Sequence, residues 1–409
     1  MKLKLLMLAT TMISATPILP ALAANDAPIV VAQADQSREE RQKARQQERQ
    51  ENREQRQQER REQRQDAREQ RQEERRDQRQ EERRDARQER WNDPRDRARE
   101  EAILRGRNQR FDDLRRERRE ERQGERIVIR EPGGRWMVRD NGRTYIRSDD
   151  ADRFRIIGGN NARFERRGNE QVTIINRPGG MQIFTAVDDN GRLLRRWRRG
   201  PDGREVIIID NRPRQQGANF FIQLAPPIIR IPREQYIINT RNAQPAAVYA
   251  AFIAPPVEVI ERPYSLDEIR YSPELLARMP RVDLDTITFN TGAWDVDQSQ
   301  IDRLAVIAIS MKRVLDVNPD EVFLIEGHTD ATGDPMDNLS LSDRRAEAVA
   351  IALSEQFGIP PENLTTQGYG AEQPLINTFG PEEANRRVTI RRITPLLTGQ
   401  STAAATRAN

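Results

Sequence analysis

Few side chains in this sequence are of a type that does chemistry. The chain has one histidine, His328, and no cysteine, which excludes disulfides, thiolate metal sites and thiol catalysis. A histidine-dependent triad would have to use His328, and no nucleophile and base accompany it. One histidine without a clustered pair of carboxylates also makes a poor metal site. We therefore predict no catalytic residue, no metal site and no cofactor.

A carboxylate and a guanidinium in the same stretch are better suited to binding. Asp330 lies in a loop that leaves a predicted strand, and Arg345 lies fifteen residues on, inside the following predicted helix. Both side chains can face one groove, either as a binding site for opposite charges or as a structural ion pair. Arg344 is expected to be a solvated neighbour, because one helical position rotates a side chain by about 100°.

Alternating strand and helix patterns supply the elements that position these two residues. The predicted strands cover residues 282–289, 322–325, 364–368 and 387–393. Two predicted helices lie between them, one at 298–317 with an apolar stripe and one that ends at Gly358. Ser340 with Asp343 resembles a capping box and predicts the start of the second helix. The order β-α-β-α-β-β predicts an α+β domain over residues 282–394, with its helices on one face of the sheet.

Several motifs follow one another inside this predicted domain. They are Gly327-His328-Thr329-Asp330, then Asn338, Leu341 and Arg345, then Gly368-Tyr369-Gly370, and finally Asn385-Arg386-Arg387-Val388. In this order and spacing they resemble the OmpA-like peptidoglycan-binding domain family. The resemblance implies the fold predicted above and peptidoglycan as the binding partner.

The resemblance also implies residue roles. Diaminopimelate of the peptidoglycan stem carries an ammonium and a carboxylate on one carbon, so its receptor needs an anion and a bidentate cation a few ångströms apart. The family's aspartate, here Asp330, binds the amine, and its arginine, here Arg345, binds the carboxylate. Further binding residues are expected at Asn338, Leu341, Arg386 and Arg387, and at the backbone of Thr291 and Gly292. His328 and Thr329 are expected to hold the loop and orient Asp330.

The N-terminus reads as an export signal. Lys2 and Lys4 precede a mostly apolar stretch, and Ala21-Leu22-Ala23 supplies a small-x-small cleavage pattern. This predicts a signal peptide over residues 1–23, against the alternative of an N-terminal membrane anchor, because Pro17 and Pro20 interrupt a short apolar run. Together with the resemblance, it predicts a periplasmic protein associated with the outer membrane of a Gram-negative bacterium.

Residues 37–124 consist mainly of arginine, glutamine and glutamate, with a visible repeat of eight residues at 71–78 and 79–86. The apolar positions of a coiled coil are missing, so the segment is either an extended charged helix or disordered. Interleaved acidic residues and the lack of aromatic side chains before Trp91 disfavour nucleic acid as a partner. Outer-membrane or periplasmic envelope proteins are the partners expected for this segment.

Residues 125–212 contain short β-prone runs separated by turn signals. The strings Pro-Gly-Gly and Asp-Asn-Gly occur in the same order at 132–142 and at 178–191, which indicates a weakly duplicated hairpin unit in a small β-rich domain. Residues 213–281 are rich in proline and predict a connector. A short helix is expected at 243–252, and the tail at 395–409 is expected to be disordered.

Taken together, these patterns predict a non-catalytic protein of the cell envelope that binds peptidoglycan. Two alternatives use the C-terminal domain as a wall-targeting unit, one in an envelope enzyme and one in an outer-membrane pore. The enzyme would need a catalytic pair in residues 125–212, where charges are dispersed. The pore would need lipid-facing strands of about 9–11 residues, which Arg130, Arg139 and Arg147 interrupt.

Overall fold

The computed structural model describes residues 111–399 apart from 141, 149, 151–152, 155–156, 158–160, 213–219, 242 and 291. The predicted signal peptide and most of the charged segment lie outside the described residues. No helix in the part of the chain that the structure describes is both long and apolar enough to cross a lipid bilayer.

The described chain opens with a short helix and a four-stranded antiparallel sheet in the order β1-β2-β3-β4. Its elements are α1 (Phe111–Arg116), β1 (Arg119–Gln123), β2 (Arg126–Glu131), β3 (Arg135–Asp140) and β4 (Arg143–Ser148). Gly133 and Gly134 have φ angles of 82° and 68° in the turn between β2 and β3, a conformation that glycine adopts at little cost.

A second antiparallel sheet follows, with the order β5-β6-β7-β8-β9. Its strands are β5 (Ala162–Arg167), β6 (Glu170–Asn176), β7 (Gln182–Asp188), β8 (Leu193–Arg199) and β9 (Glu205–Asp210). Pro178-Gly179-Gly180 joins β6 to β7 as Pro132-Gly133-Gly134 joins β2 to β3. The duplicated strings therefore lie at corresponding turns of the two sheets.

The C-terminal sheet has five strands in the order β10-β11-β14-β12-β13. These are β10 (Ile237–Asn239), β11 (Arg281–Asp283), β12 (Phe323–Gly327), β13 (Leu364–Gly368) and β14 (Val388–Arg392). β14 is antiparallel to both β11 and β12, whereas β12 and β13 are parallel. The carboxyl ends of β12 and β13 therefore meet at one edge of the sheet, where β14 begins.

Helices cover this sheet and extend into the preceding segment. They are α2 (Arg233–Tyr236), α3 (Pro245–Ile253), α4 (Leu266–Arg270), α5 (Pro273–Leu276), α6 (Gln298–Ile301), α7 (Ala305–Val317), α8 (Pro335–Phe357) and α9 (Thr394–Thr398). Phe323 and Ile325 pack with α3, α7 and α8 on one face of the sheet. Leu324 alternates to the other face and packs with α4, α5 and residues of β7–β9.

The last observation corrects the expectation that helices cover one face only. The side chains of strand β12 are apolar on both faces because both faces are buried. The proline-rich residues before Arg281 supply the second cover through α4 and α5, and they add β10 to the sheet. This segment is folded against the domain rather than a plain connector.

Three predicted boundaries also move. Residues 119–123 were assigned to the charged segment but form β1, an edge strand whose five exposed polar side chains give no apolar alternation. The strand expected at 282–289 ends at Asp283, although Leu284 and Ile287 remain in the core. In the tail, α9 ends at Thr398 and buries Leu396, so disorder does not begin at residue 395; residues 400–409 lie outside the described residues.

Helix α8 begins earlier than the capping-box pattern predicts. Asp334 is its N-cap, since its carboxylate accepts hydrogen bonds from the backbone N–H groups of Met336 (2.9 Å) and Asp337 (3.1 Å). Pro335 occupies the first helical position, where a missing N–H costs nothing. Ser340 is therefore an interior helical residue. The predicted C-terminus is confirmed, because Gly358 caps the helix in the left-handed conformation.

Candidate functional site

Two glycines allow the candidate site to form at the edge of the sheet. Gly327 ends β12 and is paired in register with Gly368 at the end of β13. A Cβ on Gly327 would overlap the carbonyl oxygen of Ser342, and one on Gly368 would overlap the backbone of Asp343. Without side chains at these two positions, α8 lies directly on the strands. The loop after β12 and the first turns of α8 are thereby held together.

Asp330 lies in the loop that leaves β12. The backbone continues the sheet pairing beyond the strand, since the N–H of His328 donates to the carbonyl of Arg387 (3.0 Å) and that of Thr329 to the carbonyl of Gly370 (2.9 Å). One carboxylate oxygen of Asp330 accepts hydrogen bonds from the N–H and hydroxyl of Thr332. The other accepts from Nη1 of Arg386 at 2.7 Å.

These contacts keep Asp330 ionised. Burial disfavours the charged carboxylate, but the hydrogen bonds from Thr332 and Arg386 outweigh it and lower the pKa of Asp330 below its ordinary value. Arg386 is 38% exposed, so its guanidinium lies at the rim of the site. Asp330 and Arg386 together form a charged pair that is open to solvent on the arginine side.

Arg345 projects from α8 toward the loop that follows β11. Its Nε donates to the carbonyl of Ala293 (3.0 Å) and its Nη2 to the carbonyl of Asn290 (3.3 Å). The guanidinium carbon lies 4.9 Å from the ring centroid of Phe289, a cation–π contact. Burial, and then repulsion from Arg386, lower the pKa of Arg345 to about 10, with Asp330 acting in the opposite direction.

The electrostatic coupling defines the site better than any single contact. Asp330 and Arg386 form the direct ion pair, and the charges of both act on the pKa of the buried Arg345, whose own hydrogen bonds are to backbone carbonyls. A carboxylate and guanidinium groups in one site suit the binding of oppositely charged groups. The site brings together Asp330, Arg345 and Arg386 of the predicted site residues.

The remaining predicted residues have different positions. Asn338 holds the loop, as its side-chain amide donates to the carbonyls of Thr332 (2.8 Å) and Asp330 (3.4 Å). Gly292 has a φ of 70° with open space where a Cβ would lie, and Thr291 lies outside the described residues. Leu341 is only 9% exposed because it packs in an apolar cluster.

Arg387 diverges from its neighbour Arg386. Its Nη2 donates to the carbonyl of Gln373 (3.1 Å), and burial lowers its pKa to about 10. The expectation that both arginines close the site is thus met by Arg386 alone. Arg387 fixes the loop between β13 and β14 instead, since successive residues of extended chain point to opposite sides.

The side chain of His328 does not orient Asp330. Its ring stacks on Tyr369 with centroids 5.4 Å apart and lies 3.8 Å from the carboxylate of Glu326. Neither ring nitrogen has a hydrogen-bond partner among the described residues, and the same holds for the hydroxyl of Thr329. Burial, with a contribution from Arg387, lowers the pKa of His328 to about 3. His328 and Thr329 hold the loop through their backbone, and Thr332 orients the carboxylate.

Arg344 is the clearest error of the sequence interpretation. It is buried, and its Nη2 donates to Glu131 of β2 (3.0 Å) and to the carbonyl of Pro132 (3.1 Å). Its guanidinium carbon lies 5.3 Å from the ring centroid of Trp294. The side of α8 that would be solvated in an isolated domain is covered here by the first β-sheet.

Trp294 joins that cover to the site. It shares an apolar cluster with Phe111 and Leu114 of α1 and with Leu341 of α8, and its ring centroid is 6.4 Å from that of Phe111. Because Trp294 follows Ala293, whose carbonyl accepts from Arg345, α1 packs on the wall of the site. The sequence interpretation missed this contact, since nothing local in the sequence links residue 111 to residue 294.

The C-terminal part of the chain matches a known protein family. The model of the OmpA family matches residues 288–387, a range that contains Asp330, Arg345 and Arg386. This part of the chain is an OmpA-like domain. The match covers β12, β13, both motif glycines and the residues up to the one before β14, and it confirms the resemblance noted in the sequence.

Curated proteins that match the OmpA-like domain include a lipoprotein, a flagellar protein and a porin. The outer-membrane lipoprotein YfiB of Pseudomonas aeruginosa is 42% identical over 81 residues, which are 19% of this chain and 47% of the relative. The sodium-type flagellar protein MotY of Vibrio parahaemolyticus is 34% identical over 90 residues, covering 22% and 29%. Outer membrane porin F of P. aeruginosa is 31% identical over 115 residues, covering 28% and 31%. The chain thus spans less than half the length of each.

Among solved structures, the peptidoglycan-associated lipoprotein of Burkholderia pseudomallei is 30% identical, with a TM-score of 0.22. That alignment covers 26% of this chain and 87% of the lipoprotein chain. Within the described residues of the present structure, no group of three or more histidine, aspartate or glutamate side chains is placed to hold a metal ion.

Proposed function

We propose that the OmpA-like domain binds peptidoglycan at the free amino and carboxyl centre of diaminopimelate. The observation that carries this proposal is the cluster of one carboxylate and two guanidinium groups at the edge of the sheet. A zwitterion presents the complementary charges on one carbon, and charge-assisted hydrogen bonds to it are stronger than neutral ones. The name of one similar solved structure, a peptidoglycan-associated lipoprotein, is in keeping with this ligand class.

Arg386 and Arg345 would then have different roles in binding the ligand. Asp330 would accept the ligand ammonium, and Arg386, released from Asp330, would turn its exposed guanidinium to the ligand carboxylate. Arg345 is held by the carbonyls of Asn290 and Ala293 and supplies a fixed positive charge behind the site. A pre-positioned buried charge adds affinity because little ordering is required on binding.

We further propose that the protein acts by binding alone, in the envelope of a Gram-negative bacterium. The residues at the site favour ion recognition, since His328 is buried with a pKa of about 3 and its ring nitrogens have no hydrogen-bond partner among the residues that the structure describes. The names of YfiB and porin F refer to the outer membrane, which supports a role in linking the wall to the outer membrane. Envelope proteins that contact the charged segment remain the proposed protein partners.

The proposal is tested by co-sedimentation of the full chain with purified sacculi. Asp330→Asn and Arg345→Ala should each weaken retention at least tenfold, because removing one partner of a buried charged contact costs about 2–5 kcal/mol. The matched control is Asp316→Asn, which removes an exposed carboxylate on α7, and it should bind like the unchanged chain. Free meso-diaminopimelate should compete, whereas Nα-acetyl-lysine amide, which has an ammonium but no carboxylate on the same carbon, should not. Unchanged retention of both site variants would exclude this site.

A further inference from the structure

A rigid apolar ridge lies on the loop between β13 and β14. Its three side chains are Leu375, Ile376 and Phe379, which are 40%, 48% and 95% exposed. Soluble domains expose single apolar residues routinely, but a cluster of them on one short loop indicates a binding surface. The residues lie in the segment that ends at Arg386, so the ridge is continuous along the chain with the candidate site.

The ridge is held in place by its own hydrogen bonds. The side-chain oxygen of Asn385 accepts from the N–H groups of Leu375 (2.7 Å) and Ile376 (3.0 Å), and its amide donates to the carbonyl of Ile376 (2.8 Å). Arg387 binds the carbonyl of Gln373 at the start of the same loop. Asn385 is buried, so the arrangement is built from the protein interior. Leu375 and Ile376 are therefore presented to solvent by a backbone that Asn385 holds in place, three residues before Phe379.

The charge of the loop between β13 and β14 limits which class of ligand can bind the ridge. Residues 371–385 contain three glutamates, Glu372, Glu382 and Glu383, and no lysine or arginine. An anionic membrane surface would be repelled by these carboxylates, because lipid-binding segments carry basic residues. A neutral ligand with an apolar face is compatible with them. The acetamido sugars of the glycan strand have this character, since one face of a pyranose ring presents only C–H groups.

We infer that Phe379 stacks on a sugar ring of the glycan strand while Asp330 and Arg386 hold the stem peptide. The inference rests on the proposed function, because the stem peptide brings the attached sugar to the loop. The aromatic ring supplies a flat apolar surface, and Leu375 and Ile376 add exposed apolar side chains on the same loop. The site would thus distinguish a peptide carried on glycan from the same peptide released from it.

The experiment measures the affinity of the full chain for two probes by isothermal titration calorimetry. One probe is the purified disaccharide–tetrapeptide, and the other is the same tetrapeptide after enzymatic removal of the sugars. Phe379→Ala should weaken binding of the disaccharide probe about fivefold to tenfold, as expected for loss of part of one buried aromatic face. Its affinity for the tetrapeptide should change less than twofold. Phe379→Trp keeps an aromatic surface and should retain binding to both probes.

The controls separate this inference from the proposed function. Val317→Ser removes an exposed apolar side chain at the end of α7 and should leave both affinities unchanged. Equal losses for the two probes in Phe379→Ala, or no loss for the disaccharide, would overturn the sugar contact while the tetrapeptide still binds. If Asp330→Asn leaves tetrapeptide affinity unchanged, the proposed function itself fails. Co-sedimentation with phosphatidylglycerol-containing vesicles that is lost in Phe379→Ala would assign the ridge to a membrane instead.

Discussion

The OmpA-like domain and the β-rich region before it are stabilised in different ways. The domain is built on a large apolar core that includes residues of α3, α7, α8 and all five strands of the C-terminal sheet. The apolar clusters within the β-rich region are small, and its attachment to the domain combines shared apolar clusters with ion pairs made by arginines. Pairs with the arginine before the domain include Arg118–Asp337, Arg135–Asp343, Arg153–Glu347, Arg177–Glu362 and Arg198–Asp320. In the pair Arg344–Glu131 the arginine comes from the domain instead.

This difference explains which parts of the molecule can be read from the sequence. Apolar periodicity reports a core directly, because it follows the period of the helix or strand. Arginine in a strand is ordinarily taken as solvent-facing, yet Arg135 of β3 and Arg196 of β8 are buried. Here the partners are carboxylates far along the chain, so the pairing becomes visible only in the fold. The attachment of the β-rich region is therefore the part least accessible to sequence reasoning.

The substitution with the largest expected effect should prevent the OmpA-like domain from folding stably. Gly327→Val would place a branched side chain against the carbonyl of Ser342, where backbone cannot yield. We expect a loss of more than about 5 kcal/mol, enough to prevent stable folding. Thermal unfolding followed by circular dichroism measures this. The control is Gly380→Ala, whose Cβ would only touch the Thr378 hydroxyl at an ordinary distance; a cooperative wild-type transition in Gly327→Val would contradict the close-packing argument.

A second substitution, with a smaller expected effect, should destabilise the β-rich region while the OmpA-like domain stays folded. Arg196 is fully buried and binds Asp150 (2.7 Å) and the carbonyls of Glu362 (3.0 Å) and Leu364 (3.2 Å). Arg196→Met leaves Asp150 with Arg153 as its remaining partner, and breaking a buried pair in this way costs about 3–5 kcal/mol.

Hydrogen exchange monitored by mass spectrometry would locate that loss. Amide protection should fall in β5–β9 of Arg196→Met while β12 and the C-terminal half of α8 remain protected. Arg204→Met is the control, since Arg204 is 89% exposed and exposed pairs contribute under about 1 kcal/mol. A uniform loss of protection in all strands would show that the two regions unfold as one unit.

The smallest effect concerns the histidine of the domain. The unfolded chain protonates its single histidine near pH 6.5, whereas the folded chain does so only near pH 3. Between these values the unfolded state binds more protons, so stability falls as the pH is lowered. From pH 7.5 to 5 the wild type should lose about 2 kcal/mol more than His328→Gln. Urea titrations at several pH values measure the free energy of unfolding of both proteins. If that free energy depends on pH in the same way in both, the histidine of the folded chain titrates normally and the prediction is wrong.

Much of the domain could be predicted because its motifs have local causes. The apolar stripes gave the two long helices, and Gly358 marked the end of α8 through its left-handed conformation. The start of α8 could also have been read, since Asp334-Pro335 is an N-cap followed by proline at the first helical position. Ser340 was misleading because its hydroxyl binds Glu131 of the β-rich region, a partner distant in sequence.

The residues of the candidate site also differ in whether their roles can be predicted from local sequence. Asp330 and Arg345 were selected by motif, and their electrostatic coupling through Arg386 follows from the topology, which starts β14 beside the end of β12. The roles of Arg344, Arg387 and the His328 ring depend on which direction each side chain takes from a crowded backbone. Arg344 is directed to Glu131, and Arg387 to Gln373. Such choices are set by packing between elements, which a one-dimensional pattern does not contain.

Helix α1 has a mechanical consequence. The N-terminal segment is covalently attached at Phe111, and α1 is fastened to α8 by Leu114, which packs with Leu341, and by the pairing of Arg115 and Arg118 with Asp337. The proposed ligand contacts Asp330 and Arg386 lie just after β12 and just before β14. Tension between the N-terminal segment and a bound ligand would therefore run through α1 and the first turns of α8 to the ends of these two strands.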